Sequence, residues 1–166
     1  MNDRITILAA LALFGSAGIG LSQTAPPAPP AGAPTTAVPV VMTMGDLMNT
    51  LVQPRHLKLG IAGEAQNWPL AQYALEQLRA ALANIASAKP KFSGMPVGQL
   101  IDVALTAPLR AVETAIKAQD AKKFASAFAQ VSQGCNACHM ELDHPYVVIK
   151  TPDVSAFPNQ DFAPRQ

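Results

Sequence analysis

Strand formers, disulfide partners and charge are all scarce in this chain. Aromatic residues make up 5% of it and charged residues 14%, and the formal net charge is +1. Such a balance offers no electrostatic pull toward nucleic acid or an acidic membrane surface. There are two cysteines. Both fall within one stretch of five residues, so no separate disulfide framework exists. No grouping of serine, histidine and carboxylate suggests hydrolysis, and no Gly-rich loop suits a phosphate. The sequence therefore does not read as that of an enzyme. No repeat of fixed period stands out.

What is abundant is alanine, leucine and proline, and their distribution divides the chain. Met1 to Arg4 is a short polar start with one basic residue, and Ile5 to Leu21 is almost wholly apolar or small. Gly20-Leu21-Ser22 offers the small residues read by a signal peptidase. Residues 1–22 are thus expected to be a signal peptide cleaved after Ser22, placing the mature protein in the periplasm. An uncleaved segment would instead act as a membrane anchor. Residues 23–41 hold Pro26, Pro27, Pro29, Pro30, Pro34 and Pro39. Proline fixes φ and removes backbone donors, so this stretch reads as an extended linker.

From Met42 onward the pattern is helical. Met44, Leu47, Met48, Leu51, Val52 and Leu59 recur at helical spacing between about Thr43 and Glu64, with Pro54 expected to kink or break that segment. Asn67 caps a second segment, with Pro69 in its first turn. Its stripe is Leu70, Tyr73, Ala74, Leu78, Ala81, Leu82 and Ile85, and Lys89-Pro90 ends it. After a loop with Gly94 and Pro96, a third segment carries Val97, Leu100, Ile101, Ala104, Leu105, Leu109, Val112 and Ile116, with Pro108 inside it. Asp120 caps a fourth, on which Phe124, Phe128, Val131, Cys135 and Cys138 share one face. Short connections favour an all-α fold: an antiparallel up-down-up-down four-helix bundle over residues 42–144, with an extended C-terminal tail, 145–166.

Near the end of the fourth segment stands Cys135-Asn136-Ala137-Cys138-His139. The pattern C-x-x-C-H is the attachment signature of c-type haem. Each part has a chemical task. The two thiols add to the haem vinyl groups as thioethers, and the adjacent histidine becomes the proximal iron ligand. Two other readings compete. A thioredoxin-like C-x-x-C belongs to a βαβ pattern, which is missing here. A structural zinc site needs four close N or S ligands, and the remaining histidines, His56 and His144, do not supply such a set.

Four helices, an Asp-capped last helix and a haem motif close to its end resemble the cytochrome c′ family. The resemblance covers about Met42 to Leu142, and the tail after His139 is longer than is usual there. The segments His56-Leu57-Lys58-Leu59 and Asn67-Trp68-Pro69-Leu70-Ala71 also look like a less characterised branch of exported monohaem proteins. The resemblance implies one covalent haem c on Cys135 and Cys138, with His139 as proximal ligand. It also implies that the first helix covers the sixth iron position. A methionine there gives a low-spin electron carrier serving periplasmic redox partner proteins. An apolar side chain leaves a five-coordinate iron that binds nitric oxide or carbon monoxide. A third reading is an accessory haem subunit of a larger enzyme. Family members are often dimers through their first two helices, which leaves a homodimer open.

Helix geometry narrows the sixth position. Asp120 to His139 is roughly 28 Å of helix. Counting the same length back from Glu64 reaches the neighbourhood of Met44 and Met48. Met48 is preferred as sixth ligand because it shares the stripe of Leu51 and Val52, with Met44 and His56 as alternatives. His56 is otherwise expected on the surface or near a haem propionate, where Arg55 and Lys58 could also pair. The tail holds Pro145, Pro152, Pro158 and Pro164 among apolar residues, so it is expected to strap the bundle and cover a haem edge. Deleting the residues after Lys150 should then change the haem spectrum and lower the melting temperature. Unchanged values in both would remove the strap.

Overall fold

The computed structural model describes residues 41–153, 157 and 159–164. The signal peptide (1–22), the linker up to residue 40 and tail residues 154–156, 158, 165 and 166 lie outside them. Thr43 starts the helical part. Its hydroxyl accepts from the Asp46 N–H (3.1 Å) while the Asp46 carboxylate accepts from the Thr43 N–H (2.8 Å). This reciprocal capping box satisfies donors that a helix start leaves orphaned. Helix α1 (Met44–Leu47) runs into a π-helical turn (Met48–Val52) and on into α2 (Gln53–Glu64). Pro54 explains the wide turn. It has no N–H for the carbonyl four residues back and its ring crowds that position. The chain opens by one residue just ahead of it, so that the Gln53 N–H bonds to the Met48 carbonyl. The expected break is therefore a π turn within a continuous helical run.

Helix α3 (Trp68–Ala88) is followed by a minimal hairpin of β1 (Lys91–Phe92) and β2 (Met95–Pro96), then α4 (Val97–Lys117) and α5 (Ala121–Glu141). Ser93 (φ 49°) and Gly94 (φ 81°) form the hairpin's two-residue turn, the positive-φ pair that suits strand twist. It is the only strand pairing among the described residues, and the fold is all-α. None of the described helices is long and apolar enough to cross a membrane.

Two of the connections use one device. At the end of α2, the Gln66 N–H bonds to Gly63 O (3.0 Å) and the Asn67 N–H to Ala62 O (2.9 Å). At the end of α4, Gln119 bonds to Ile116 O (3.0 Å) and Asp120 to Ala115 O (3.0 Å). Both are Schellman ends built on left-handed residues, Gln66 (φ 55°) and Gln119 (φ 53°). The residue that closes each end also caps the next helix. Asn67 accepts from Leu70 N–H (3.2 Å) and Asp120 from Lys123 N–H (2.9 Å).

Packing follows from these short connections. Helix α2 lies on α3, α3 on α4, α4 on α5, and α2 also reaches α5. Phe128, Leu59, Leu75, Leu78, Ile85, Val97, Val112 and Val131 are the largest fully buried side chains. Tyr73, expected in the buried stripe of α3, is 54% exposed. Ala71 and Leu75 hold that face instead, because the seam of buried residues steps through 71, 74, 75 and 78 and leaves 73 on its flank. Between α2 and α5 there is almost no space. A Cβ on Gly60 would lie 2.8 Å from the Phe128 ring, and one on Gly63 would overlap the Phe124 ring. The two rings stack with centroids 5.8 Å apart, and Trp68 meets Phe124 edge-on at 6.1 Å.

Gly63→Ala should therefore destabilise the fold by about 1–3 kcal/mol through overpacking, despite alanine's better helix propensity. Gly45→Ala, whose Cβ meets only Thr43 Oγ1 at 3.8 Å, should stabilise by about 0.5–1 kcal/mol. Urea melts of both variants check the contrast. Equal effects would contradict the close α2–α5 contact.

Candidate functional site

The site is built on one stripe of α5. Phe128, Ser132, Cys135 and His139 follow at steps of three and four, which places them along one side of the helix. Phe128 and Ser132 are buried, Cys135 and Cys138 half-buried, and Cys135 packs against the core. Burial pushes the Cys135 thiol up to about 11, helped by the neighbouring Cys138. Burial and then the charge of Glu141 raise Cys138 as well. Both groups are thus thiols at neutral pH. A redox or nucleophilic C-x-x-C needs a lowered cysteine instead, so this environment speaks against the thioredoxin-like reading. No three His, Cys, Asp or Glu side chains among the described residues are grouped to hold a metal ion.

His139 lies in the last turn of α5, and its Nδ1 is 2.6 Å from the Val147 carbonyl oxygen. A carbonyl can only accept, so Nδ1–H donates and, in the neutral ring, Nε2 keeps its lone pair. This is the arrangement that metal-binding histidines adopt, with the far nitrogen tied to a backbone oxygen. The donor set of two thiols and one oriented imidazole therefore fits a covalently attached haem. Its thioether positions would be Cys135 and Cys138 and its proximal ligand His139.

Three contacts fix how α2 faces this stripe. Gly63 meets Phe124, Gly60 meets Phe128, and His56 meets Ser132. Rising numbers on α2 meet falling numbers on α5, so the two helices are antiparallel. Extended by count alone, the same pairing would set Met48 level with His139 and Met44 about one turn beyond, while the π turn itself packs against α3. Met48 is half-buried and packed against the core, whereas Met44 is buried within it at 8% exposure.

His56 is not on the surface, which removes one of the placements expected for it. It is 5% exposed, with Nε2 2.9 Å from the Ser132 hydroxyl and its ring 4.6 Å from that of Phe128. Facing Ser132 rather than His139, it stands roughly 10 Å along the axis from the His139 level. Arg55 donates to the Leu51 carbonyl (2.6 Å), and the Lys58 ammonium lies 4.9 Å from the Phe157 ring centre. His144 sits half-buried between the rings of Phe92 and Tyr146.

Several participants were not singled out from sequence. Ser132 reads as a small polar residue until His56 is known to be buried. Gly134 lets α5 close on the Ala104 carbonyl, which Pro108, four residues on, cannot bond. Asn136 binds Ile149 through both ends of its amide. The spacing of Gly60 and Gly63 against Phe124 and Phe128 was a legible signal for close packing. A groove of about 500 Å³ between α3 and α4, lined by Arg79, Leu82, Ile101, Leu105, Arg110 and Glu113, contains none of the motif residues. Compared with known proteins, the chain matches no family model, no curated protein and no solved structure.

Burial lowers the His56 imidazole from 6.5 to about 4. Between those values the folded chain keeps it neutral while the unfolded chain binds a proton. Stability is full above the upper value and falls as pH drops through the window, by up to about 1.4 kcal/mol per pH unit. Urea melts between pH 7 and 4.5 should show that slope. His56→Phe should flatten it, and an unchanged slope in the variant would place the titration elsewhere.

Proposed function

We propose that this protein is an exported, periplasmic c-type cytochrome that carries single electrons through one covalently held haem c. The fold proposed for it is an antiparallel up-down-up-down four-helix bundle resembling cytochrome c′, with the C-terminal residues as an extended strap. The observation that carries this reading is the C-x-x-C-H motif ending the core-facing stripe of α5, with the His139 imidazole already oriented by Val147. When bound, haem supplies a ferric–ferrous couple that exchanges one electron at a time.

The chain's residues have separate tasks in this reading. Cys135 and Cys138 tether the group, so that it is retained through many cycles. His139 presents Nε2 from a rigid helix. Met48, on the π turn, would supply a thioether as the second protein ligand of the iron. A wide helical turn at that point is suggestive, since such turns are frequently found at functional sites. A sulfur ligand and apolar walls both favour the ferrous state and raise the potential. Electron exchange would take place with redox partner proteins of the same compartment.

Absorption spectra of the purified protein test the assignment. Ferrous wild type should be low-spin and unaltered by carbon monoxide. Met48→Leu should become high-spin and bind carbon monoxide, while the covalent haem mass stays attached. A wild-type protein that is high-spin and binds carbon monoxide would overturn the carrier reading in favour of gas binding. Loss of the low-spin state in Met44→Leu rather than Met48→Leu would move the ligand.

A further inference from the structure

Helix α5 ends in a third Schellman motif. The Asp143 N–H bonds to Met140 O (3.2 Å) and the His144 N–H to His139 O (2.8 Å), with Asp143 left-handed at φ 60°. Pro145 follows and bars further helix. A turn closed by Val147 N–H to His144 O (3.0 Å) carries the chain back toward the helix it has just left. Residues 147–150 have no regular secondary structure. Little apolar burial holds this stretch, since Tyr146 is 76% and Val148 71% exposed.

Polar bonds from the motif itself do hold it. Asn136 Nδ2 donates to the Ile149 carbonyl (2.8 Å), and the Ile149 N–H donates to Asn136 Oδ1 (2.7 Å). One amide thus pairs with a backbone residue as a neighbouring strand would. In an extended segment, residues two apart present their backbone groups to the same side. Val147 and Ile149 are two apart, and both face α5. On the helix, Asn136 and His139 are three apart and adjacent on the surface. The two spacings match, so fixing Ile149 on Asn136 delivers the Val147 carbonyl to His139 Nδ1.

We propose that Asn136 is a positioning residue for the proximal histidine. By clamping Ile149 it holds the Val147 carbonyl against His139, which fixes the ring's tautomer and orientation and strengthens Nε2 as a donor. The haem part of this inference rests on the function proposed above, whereas the clamp itself does not. A bond from Nδ1–H to a carbonyl makes the imidazole a more basic ligand. A more basic ligand favours the ferric state, so loss of the clamp should raise the reduction potential.

The test compares the holoprotein with Asn136→Ala, Asn136→Asp and, as a control on the same segment, Lys150→Ala, which breaks only the exposed pair with Asp153. Exchange of the His139 ring N–H and the Ile149 amide is followed by NMR, and the midpoint potential by redox titration. In Asn136→Ala, both protons should exchange at least tenfold faster and the potential should rise, with the haem mass retained. Asn136→Asp still accepts from the Ile149 N–H and should fall between that variant and wild type. Lys150→Ala should match wild type. Wild-type exchange and potential in Asn136→Ala would overturn the proposal. If Asn136→Ala does not fold, a fully wild-type Asn136→Asp overturns it equally. If wild type carries no covalent haem, the proposed function fails, and exchange at His139 and Ile149 in that protein still decides the clamp.

Discussion

The approach of α2 to α5 across Gly60 and Gly63 governs the geometry of everything downstream. With no side chain at either position, the rings of Phe124 and Phe128 lie against the α2 backbone and stack on each other. Rings pressed on backbone leave no freedom to slide, because any shift by one residue would bring a methyl or larger group into their place. That contact sets the antiparallel register. It determines that His56 meets Ser132. The candidate site inherits its alignment from a packing contact two to four helical turns away.

Helix ends carry the rest of the organisation. Gln66, Gln119 and Asp143 each take the left-handed conformation that glycine would adopt more cheaply. Twice the residue after the left-handed position is a good N-cap, Asn67 or Asp120, and a new helix follows. The third time it is His144 followed by Pro145. Proline pushes the residue before it toward extended backbone, and the chain returns along α5 instead. Asn67 also donates to the Phe162 and Ala163 carbonyls (3.2 and 3.1 Å), and Phe162 is buried at 9% exposure. Among the described residues after α5, Ile149 and Phe162–Ala163 are thus fastened by asparagine side chains, one within α5 and one capping α3.

The two buried polar residues among those described, His56 and Ser132, lie on α2 and α5 and face each other. His56 is held neutral by its surroundings, beside a hydroxyl and an aromatic face. The two thiols are held protonated for the same reason, withdrawal from water. For all three groups burial is the largest cause, and Glu141 adds to it at Cys138.

Much of this was legible in the order of residues alone. Helix starts at Asn67 and Asp120, the end at Lys89-Pro90, and the apolar faces of α4 and α5 follow from local rules: capping chemistry, proline geometry and a period near 3.6. The motif Cys135 to His139 was equally plain, because its chemistry depends on adjacent residues. Tyr73 was misplaced and the surface reading of His56 failed because burial depends on which neighbour covers a face, and a single helix does not contain its neighbours. The same holds for Ser132 and Asn136, whose partners lie far along the chain or beyond a helix end. The wide turn before Pro54 shows where the two levels meet. A proline dictates that the hydrogen bonding must change. Only the tertiary structure decided that the chain would widen by one residue and stay helical, because a broken helix would have withdrawn Met44, Leu47 and Val52 from the core in which they are buried.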